Sequence, residues 1–297
     1  MKITLTGSLG NISKPLATIL VQAGHQVTVI SSSENKSAEI EKLGAVPAIG
    51  SVEDVTFLTN AFKDADAIYT MVPNNFGATN YRQYIGSIGK NYADAIQASG
   101  VKKVVNLSSI GAHIDGGTGP ISGIHDVEQT YGKLNGIAIK HLRPAFFYTN
   151  FNENIEMIKH LGFIGSNYPS DTRMVLVHPN DIAEVAAHEL QQDFTGTSIR
   201  YISSDERTAG EVASALGKAI GQPDLKWVEF TDEQALQGMQ QAGLPTEIAN
   251  NYVEMGTATK SGILWEDYDL NKPAVFGKTK LEDFAKVFAE KFNGNSI

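Results

Sequence analysis

The sequence predicts an α/β protein, a doubly wound parallel sheet of the Rossmann kind with a smaller, mixed α/β C-terminal lobe. Three observations predict it. Short β-branched runs alternate with apolar residues at helical spacing through the first half of the 297-residue chain, as right-handed βαβ units require. The first such run leads through a glycine turn directly into a helix, and the regular rhythm loosens after Leu142.

Taken in order, the first strand spans Lys2–Thr6, and the turn Gly7-Ser8-Leu9-Gly10 follows it. Leu16, Ile19, Leu20 and Ala23 mark one face of the first helix, with Pro15 in its first turn, where a missing N–H costs little. Strands at Gln26–Ile30, Ala45–Ile49 and Ala67–Val72 alternate with helices marked by Ile40 and Leu43, then by Val55, Leu58 and Phe62. Lys103–Leu107 and Ile137–Leu142 complete six strands. The segments 146–168 and 201–262 read as interleaved helices and short strands of a lobe over the sheet's carboxyl edge. We divide the chain into a core, 1–145, and a substrate lobe, 146–297, some of whose segments return to the core. No Pro/Gly/Ser-rich linker separates them. Asp115–Gly123 holds four glycines in nine residues and reads either as a mobile lid or as a plain surface loop.

Composition excludes several functions. The net charge of −9 opposes attraction to phosphate backbones and anionic membranes, so neither a nucleic acid nor a membrane is expected as a partner. Without cysteine there is no disulfide or thiol chemistry, so any redox chemistry needs a bound cofactor. The seven histidines are scattered without ligand spacing, so no metal is expected. The first residues enter a strand at once with no signal-peptide core, and no run reaches membrane-spanning length; a cytoplasmic protein is expected. A homodimer is compatible with the fold, though one chain assigns no interface.

The turn supplies the chemistry. Gly7 permits a tight bend, Gly10 lets a diphosphate approach the backbone, and the amides from Ser8 and Leu9 to Asn11 and Ile12 lie at a helix start, where partial positive charge gathers. Ser13 stands where a third glycine is usual. A glycine turn that merely joins strand to helix is the bland alternative; the strand, turn, helix and βαβ series together favour a dinucleotide. At the end of the second strand no carboxylate stands at Ser31 or Ser32 to receive a ribose 2′-OH. Serine hydroxyls and Lys36 suit a 2′-phosphate, so NADP(H) is expected over NAD(H), with Glu34 close by and a solvated loop as the alternative. Val72 and Pro73, Ser108 and Ser109, and Pro144, at the ends of the fourth, fifth and sixth strands, complete the cofactor set.

Together with Ala61–Ala67, Leu142–Phe151 and His178–Ala186, the glycine turn resembles the NmrA-like atypical short-chain dehydrogenases/reductases. It is most similar to their NAD(P)H:quinone oxidoreductase branch, over nearly the whole chain. Two positions depart from that pattern: Ser32 replaces an arginine common in NADP-binding members, and Ser51, after Gly50, replaces an aspartate. By resemblance, His125 falls near the place of the usual catalytic tyrosine and Gln129 near that of its lysine.

Ketone-reducing members use a tyrosine and a lysine four residues apart, the lysine lowering the tyrosine's pKa. Here Tyr131 and Lys133 are two apart and point to different helix faces, so a conventional alcohol dehydrogenase is not expected. A quinone or similar small planar electrophile accepts hydride directly and needs only a donor for its developing oxyanion. Expected substrate walls are Phe76, Phe146, Phe147 and Tyr148, and expected polar contacts are His125 and Asn80. Each has a structural alternative: helix capping for His125, core packing for the Phe146–Phe151 aromatics, and a turn for Ser108-Ser109. Asp181 is expected as a helix cap, Asp66 in a similar local role, and Arg143-Pro144 as a lock on chain direction. The rival function is a non-enzymatic sensor that binds NAD(P) and acts through a protein partner. A third reading is a reductase of another planar substrate, such as an aryl-ether.

Overall fold

The computed structural model describes residues 1–294. The chain runs β1 (Lys2–Leu5), α1 (Ser13–Gln22), β2 (Gln26–Ser31), α2 (Ser37–Lys42), β3 (Val46–Ile49), α3 (Val55–Phe62), β4 (Ala67–Thr70), α4 (Tyr81–Ser99), β5 (Lys103–Leu107), α5 (Pro120–Tyr131) and β6 (Ala138–Pro144). The second half follows as β7 (Phe146–Phe147), α6 (Ile155–Leu161), β8 (Phe163–Ser166), β9 (Arg173–Val177), α7 (Pro179–Gln191), β10 (Thr197–Ile202) and β11 (Asp205–Thr208). It ends with α8 (Ala209–Ala219), β12 (Lys226–Glu229), α9 (Asp232–Gln241), α10 (Thr246–Ser261), α11 (Glu266–Leu270) and α12 (Leu281–Phe292).

The main sheet has the order β10-β6-β5-β4-β1-β2-β3, with every pairing parallel. Its strands are buried on both faces because alternate residues enter different cores: Leu5, Val29, Tyr69 and Val105 face α1 and α7, while Ile30, Ile68 and Val104 face α3, α4 and α5. The order reverses between β1 and β4, and at that switch the loops after the two strands part and leave a crevice.

Six strands were expected and the sheet has seven among the described residues; the seventh, β10, lies at its edge. Its outer residues, Thr197 and Ile199, are exposed, so it lacks the apolar signature of the central strands. A third core lies in the lobe, where α8 and α12 pack Leu216, Phe284 and Phe288 against Tyr148, Phe151 and Met174. No helix among the described residues is long and apolar enough to cross a membrane.

Two carboxylates do more than expected. Asp181 is buried and accepts from Ser204 Oγ at 2.6 Å and from Thr279 N and Oγ1 at 3.2 Å, tying the C-terminal segment to α7. The cap of α7 is instead His178, whose Nδ1 accepts from Asn180 N at 3.1 Å. Asp66 accepts from Lys2 N at 2.7 Å and so fastens the start of β1 beside β4, a contact across the sheet and not a local one.

Candidate active site

β1 runs into Gly7 at φ 90°, where a Cβ would lie 2.5 Å from Ser13 Oγ. Space and backbone conformation both demand glycine there. Ser8 follows in the left-handed region at φ 53°, held by its N–H to Ile30 O at 3.0 Å and its hydroxyl to Ser31 Oγ at 2.9 Å. Ser13 donates its hydroxyl to Thr6 O at 2.9 Å, which lets serine stand close to the strand in the third glycine's place. α1 begins without a side-chain cap, and the amides of Asn11, Ile12 and Ser13 find no acceptor among the described residues. Open donors at the positive end of a helix fit a diphosphate.

At the end of β2, the Ser31 hydroxyl is occupied by the turn, accepting from Ser8 Oγ at 2.9 Å and from Ser33 N at 3.2 Å. Ser32 and Glu34 are exposed. Lys14, which the sequence reading missed, and Lys36 converge on Glu39, at 2.9 and 3.1 Å. Lys14 first and Lys36 second hold the Glu39 carboxyl below its usual range. The only sequence signal for Lys14 is its place one turn into the helix that Gly10 opens.

From the cradle a cavity of about 470 Å³ extends along the carboxyl edge of the sheet. Gly7, Gly10, Asn11 and Ile12 line one end, Val72, Pro73 and Ser109 the floor, and Phe146 and Phe147 a wall. The buried hydroxyl of Tyr69, which also borders the cavity, has no hydrogen-bond partner among the described residues. The roof was not foreseen: Tyr252, Met255 and Thr259, spaced along one face of α10, join Leu264 and Trp265 beyond it. Their spacing was the available signal, but a stripe packed on a core reads the same way. Tyr81 of α4 and Glu153 complete the rim. Glu153 itself is exposed at the rim, and partial desolvation there raises its carboxyl above the usual carboxylate range. Burial, with the Glu153 charge adding to it, pushes the Tyr252 hydroxyl up to about 12.

Several expected residues lie elsewhere. His125, one turn after the cavity-lining Ile121, does not itself line the cavity; its Nδ1 lies 2.9 Å from Ala112 O. Asn80 caps α4, accepting from Gln83 N at 2.9 Å. Phe76 is 44% exposed in the loop after β4, outside the cavity lining. Tyr148 is fully buried in the lobe core, stacked on Phe284 with centroids 5.5 Å apart. Leu9 packs against the main core, and Pro144 lies within β6, paired with Ile202 of β10.

Ser108 donates to the buried Glu128 carboxylate, away from the cavity lining. Glu128 also receives Arg143 through Nη2 at 2.6 Å and Nε at 3.0 Å. Arg143 Nη1 reaches Tyr201 and Asp267, each at 3.0 Å. This network joins β5, α5, β6, β10 and α11 behind the pocket. A buried pair of this kind costs desolvation, and its value here is in fixing which elements meet.

The glycine-rich segment before α5 is anchored. The Gly119 N–H donates to Glu254 Oε2 at 3.1 Å, and a Cβ on Gly119, at φ 60°, would lie 2.0 Å from the Asn251 carbonyl oxygen of α10. Neither a free lid nor a plain surface loop describes it.

A doubly wound parallel sheet with an uncapped helix at its switch point is the architecture of the Rossmann class. Residues 7–133 match the family model described as NAD(P)H-binding. The NAD(P)H azoreductase of Xenophilus azovorans is 24% identical over 293 residues, covering 98% of this chain and 99% of that one. An NADPH-dependent quinone oxidoreductase of Escherichia coli, solved with NADPH, superposes with a TM-score of 0.82 at 20% identity, covering 96% of this chain and 99% of that one. The Citrobacter sp. triphenylmethane reductase, solved with NADP(H), gives a TM-score of 0.77 at 19% identity over 97% and 99%. At such identities the two structures attest the architecture, and they agree with the NmrA-like resemblance read from the sequence.

Proposed function

We propose that the protein is an NADPH-dependent oxidoreductase that transfers hydride to a quinone or a similar small planar electrophile. The observation that carries this reading is one continuous cavity that joins an open helix N-terminus to walls of Tyr81, Phe146, Phe147, Tyr252 and Trp265. Flat aromatic walls suit a flat acceptor. The relatives named above are described as reducing azo, quinone and triphenylmethane compounds, in line with this reading.

The bound dihydronicotinamide supplies the hydride. Asn11, Ile12 and Ser13 hold the diphosphate through their amides; Lys14 and Lys36 receive the 2′-phosphate, exchanging Glu39 for it, which favours NADP(H) over NAD(H). Residues 1–145 carry the cofactor, with α7 and β10 returning to complete its sheet. The lobe contributes Phe146, Phe147 and the α10 roof, which orient the acceptor. Because neither His125 nor Asn80 lines the cavity, the proton that completes hydroquinone formation comes from solvent.

The test mixes purified protein with NADPH and a panel of short-chain quinones and follows loss of the dihydronicotinamide absorbance. Turnover is expected, and a Gly7→Val variant is expected to lose both turnover and NADPH binding by calorimetry. Tight NADPH binding with no turnover of any acceptor would overturn the reading in favour of a sensor.

A further inference from the structure

We propose that Glu153 gives the acceptor pocket a charge preference, so that planar acceptors bearing a positive group are reduced faster than neutral ones, and anionic acceptors slowest. The inference rests on the cavity being the acceptor site. Among the described residues that line the cavity, Glu153 alone carries a formal charge, and no described lysine, arginine or histidine borders it. A short 3-10 segment, Tyr148–Asn154, directly follows the aromatic pair Phe146-Phe147 and carries Glu153 to the rim. Among the described residues no hydrogen bond or ion pair neutralises that carboxyl, whereas its neighbour in sequence Glu156 has both Lys159 and His160.

Three effects then act in the same direction. A carboxylate without a counter-ion attracts a cationic substituent and repels an anionic one, even from an exposed rim position where solvent weakens the effect. The faces of Phe146, Phe147, Tyr81 and Tyr252 are electron-rich and also favour cations. Hydride transfer adds negative charge to the acceptor, and beside an uncompensated carboxylate that charge is tolerated best when the acceptor begins positive. The chemistry is otherwise unchanged: the C–H pair of the dihydronicotinamide moves to the acceptor, the nicotinamide is oxidised, and water supplies the remaining proton. A net charge of −9 steers cations toward the whole molecule, so the local and global contributions must be separated.

The experiment compares kcat/KM for three p-quinones of one ring system that differ only in a trimethylammoniomethyl, methyl or sulfonatomethyl substituent. The wild-type protein is expected to prefer the cationic over the anionic quinone by roughly tenfold or more, a modest value because the rim is partly open to solvent. Glu153→Gln brings the ratio close to one, and Glu153→Lys inverts it. Glu290→Gln, which removes the same charge from the exposed face of α12, leaves the ratio unchanged. Calorimetric NADPH affinity and melting temperature confirm that each variant is folded. A wild-type ratio near one, or a preference that survives in Glu153→Gln while the neutral quinone is still reduced, overturns the charge preference alone. If none of the three quinones is reduced, the acceptor site itself falls and this inference with it.

Discussion

Glu39 lies between two lysines that no other described carboxylate claims, and in the function proposed above these lysines would read the cofactor's ribose end. The lysines are half exposed, so their pairing with Glu39 contributes little to stability and is cheaply exchanged for a phosphate. Replacing both, Lys14→Ala with Lys36→Ala, is expected to raise the KM for NADPH about tenfold while that for NADH changes little. Equal changes for both nucleotides in steady-state kinetics would remove the lysines from 2′-phosphate recognition. Gly7 and Gly10 were legible in the sequence because a missing side chain has few explanations between a strand and a helix. His125 was not, because what keeps its ring out of the cavity lining is a tertiary contact, Nδ1 with the Ala112 carbonyl, that no local pattern announces. Ser31 was half legible: it belongs to the turn, but as the acceptor that steadies Ser8.

Among elements, α12 shows how the lobe is held. It buries Leu281, Phe284, Ala285 and Phe288 against α8 and Tyr148, far along the chain from the cofactor turn. Truncating Phe288 to alanine leaves a cavity in that core and is expected to cost about 3–5 kcal/mol of unfolding free energy. Urea denaturation measures the loss, and NADPH affinity at low temperature should stay near the wild-type value. Elements with an unambiguous period were readable in advance, as Lys103–Leu107 was to the residue. Those read least well had mixed surroundings. β10 alternates exposed and half-buried residues at a sheet edge, and α10 turns one face to a cavity instead of a core.

At the scale of the whole molecule, three histidines make stability depend on mild acid. Burial lowers the values of His113, His141 and His178 below the ordinary 6.5. His141 Nδ1 lies 3.1 Å from Asn106 Nδ2, His178 Nδ1 accepts the capping amide of α7, and His113 Nδ1 is buried without a partner. A depressed folded-state value means that the unfolded chain takes up the proton first. The stabilisation is therefore complete above 6.5 and is lost as pH falls below it, before the carboxylates titrate. Urea midpoints measured from about pH 7.5 to about pH 5.5 should decline. Asparagine caps helices without titrating, so His178→Asn should make that decline shallower; an identical slope would exclude His178 as a contributor.

The contact of Gly119 with the Asn251 carbonyl reaches further than one loop. Main chain rests on main chain there, so the headroom of the cavity beside it is a distance between two backbones. Widening the range of molecules admitted is then a matter of lifting one helix off another, which no trimming of the aromatic walls would accomplish, and a lone methyl at that junction would act as a wedge.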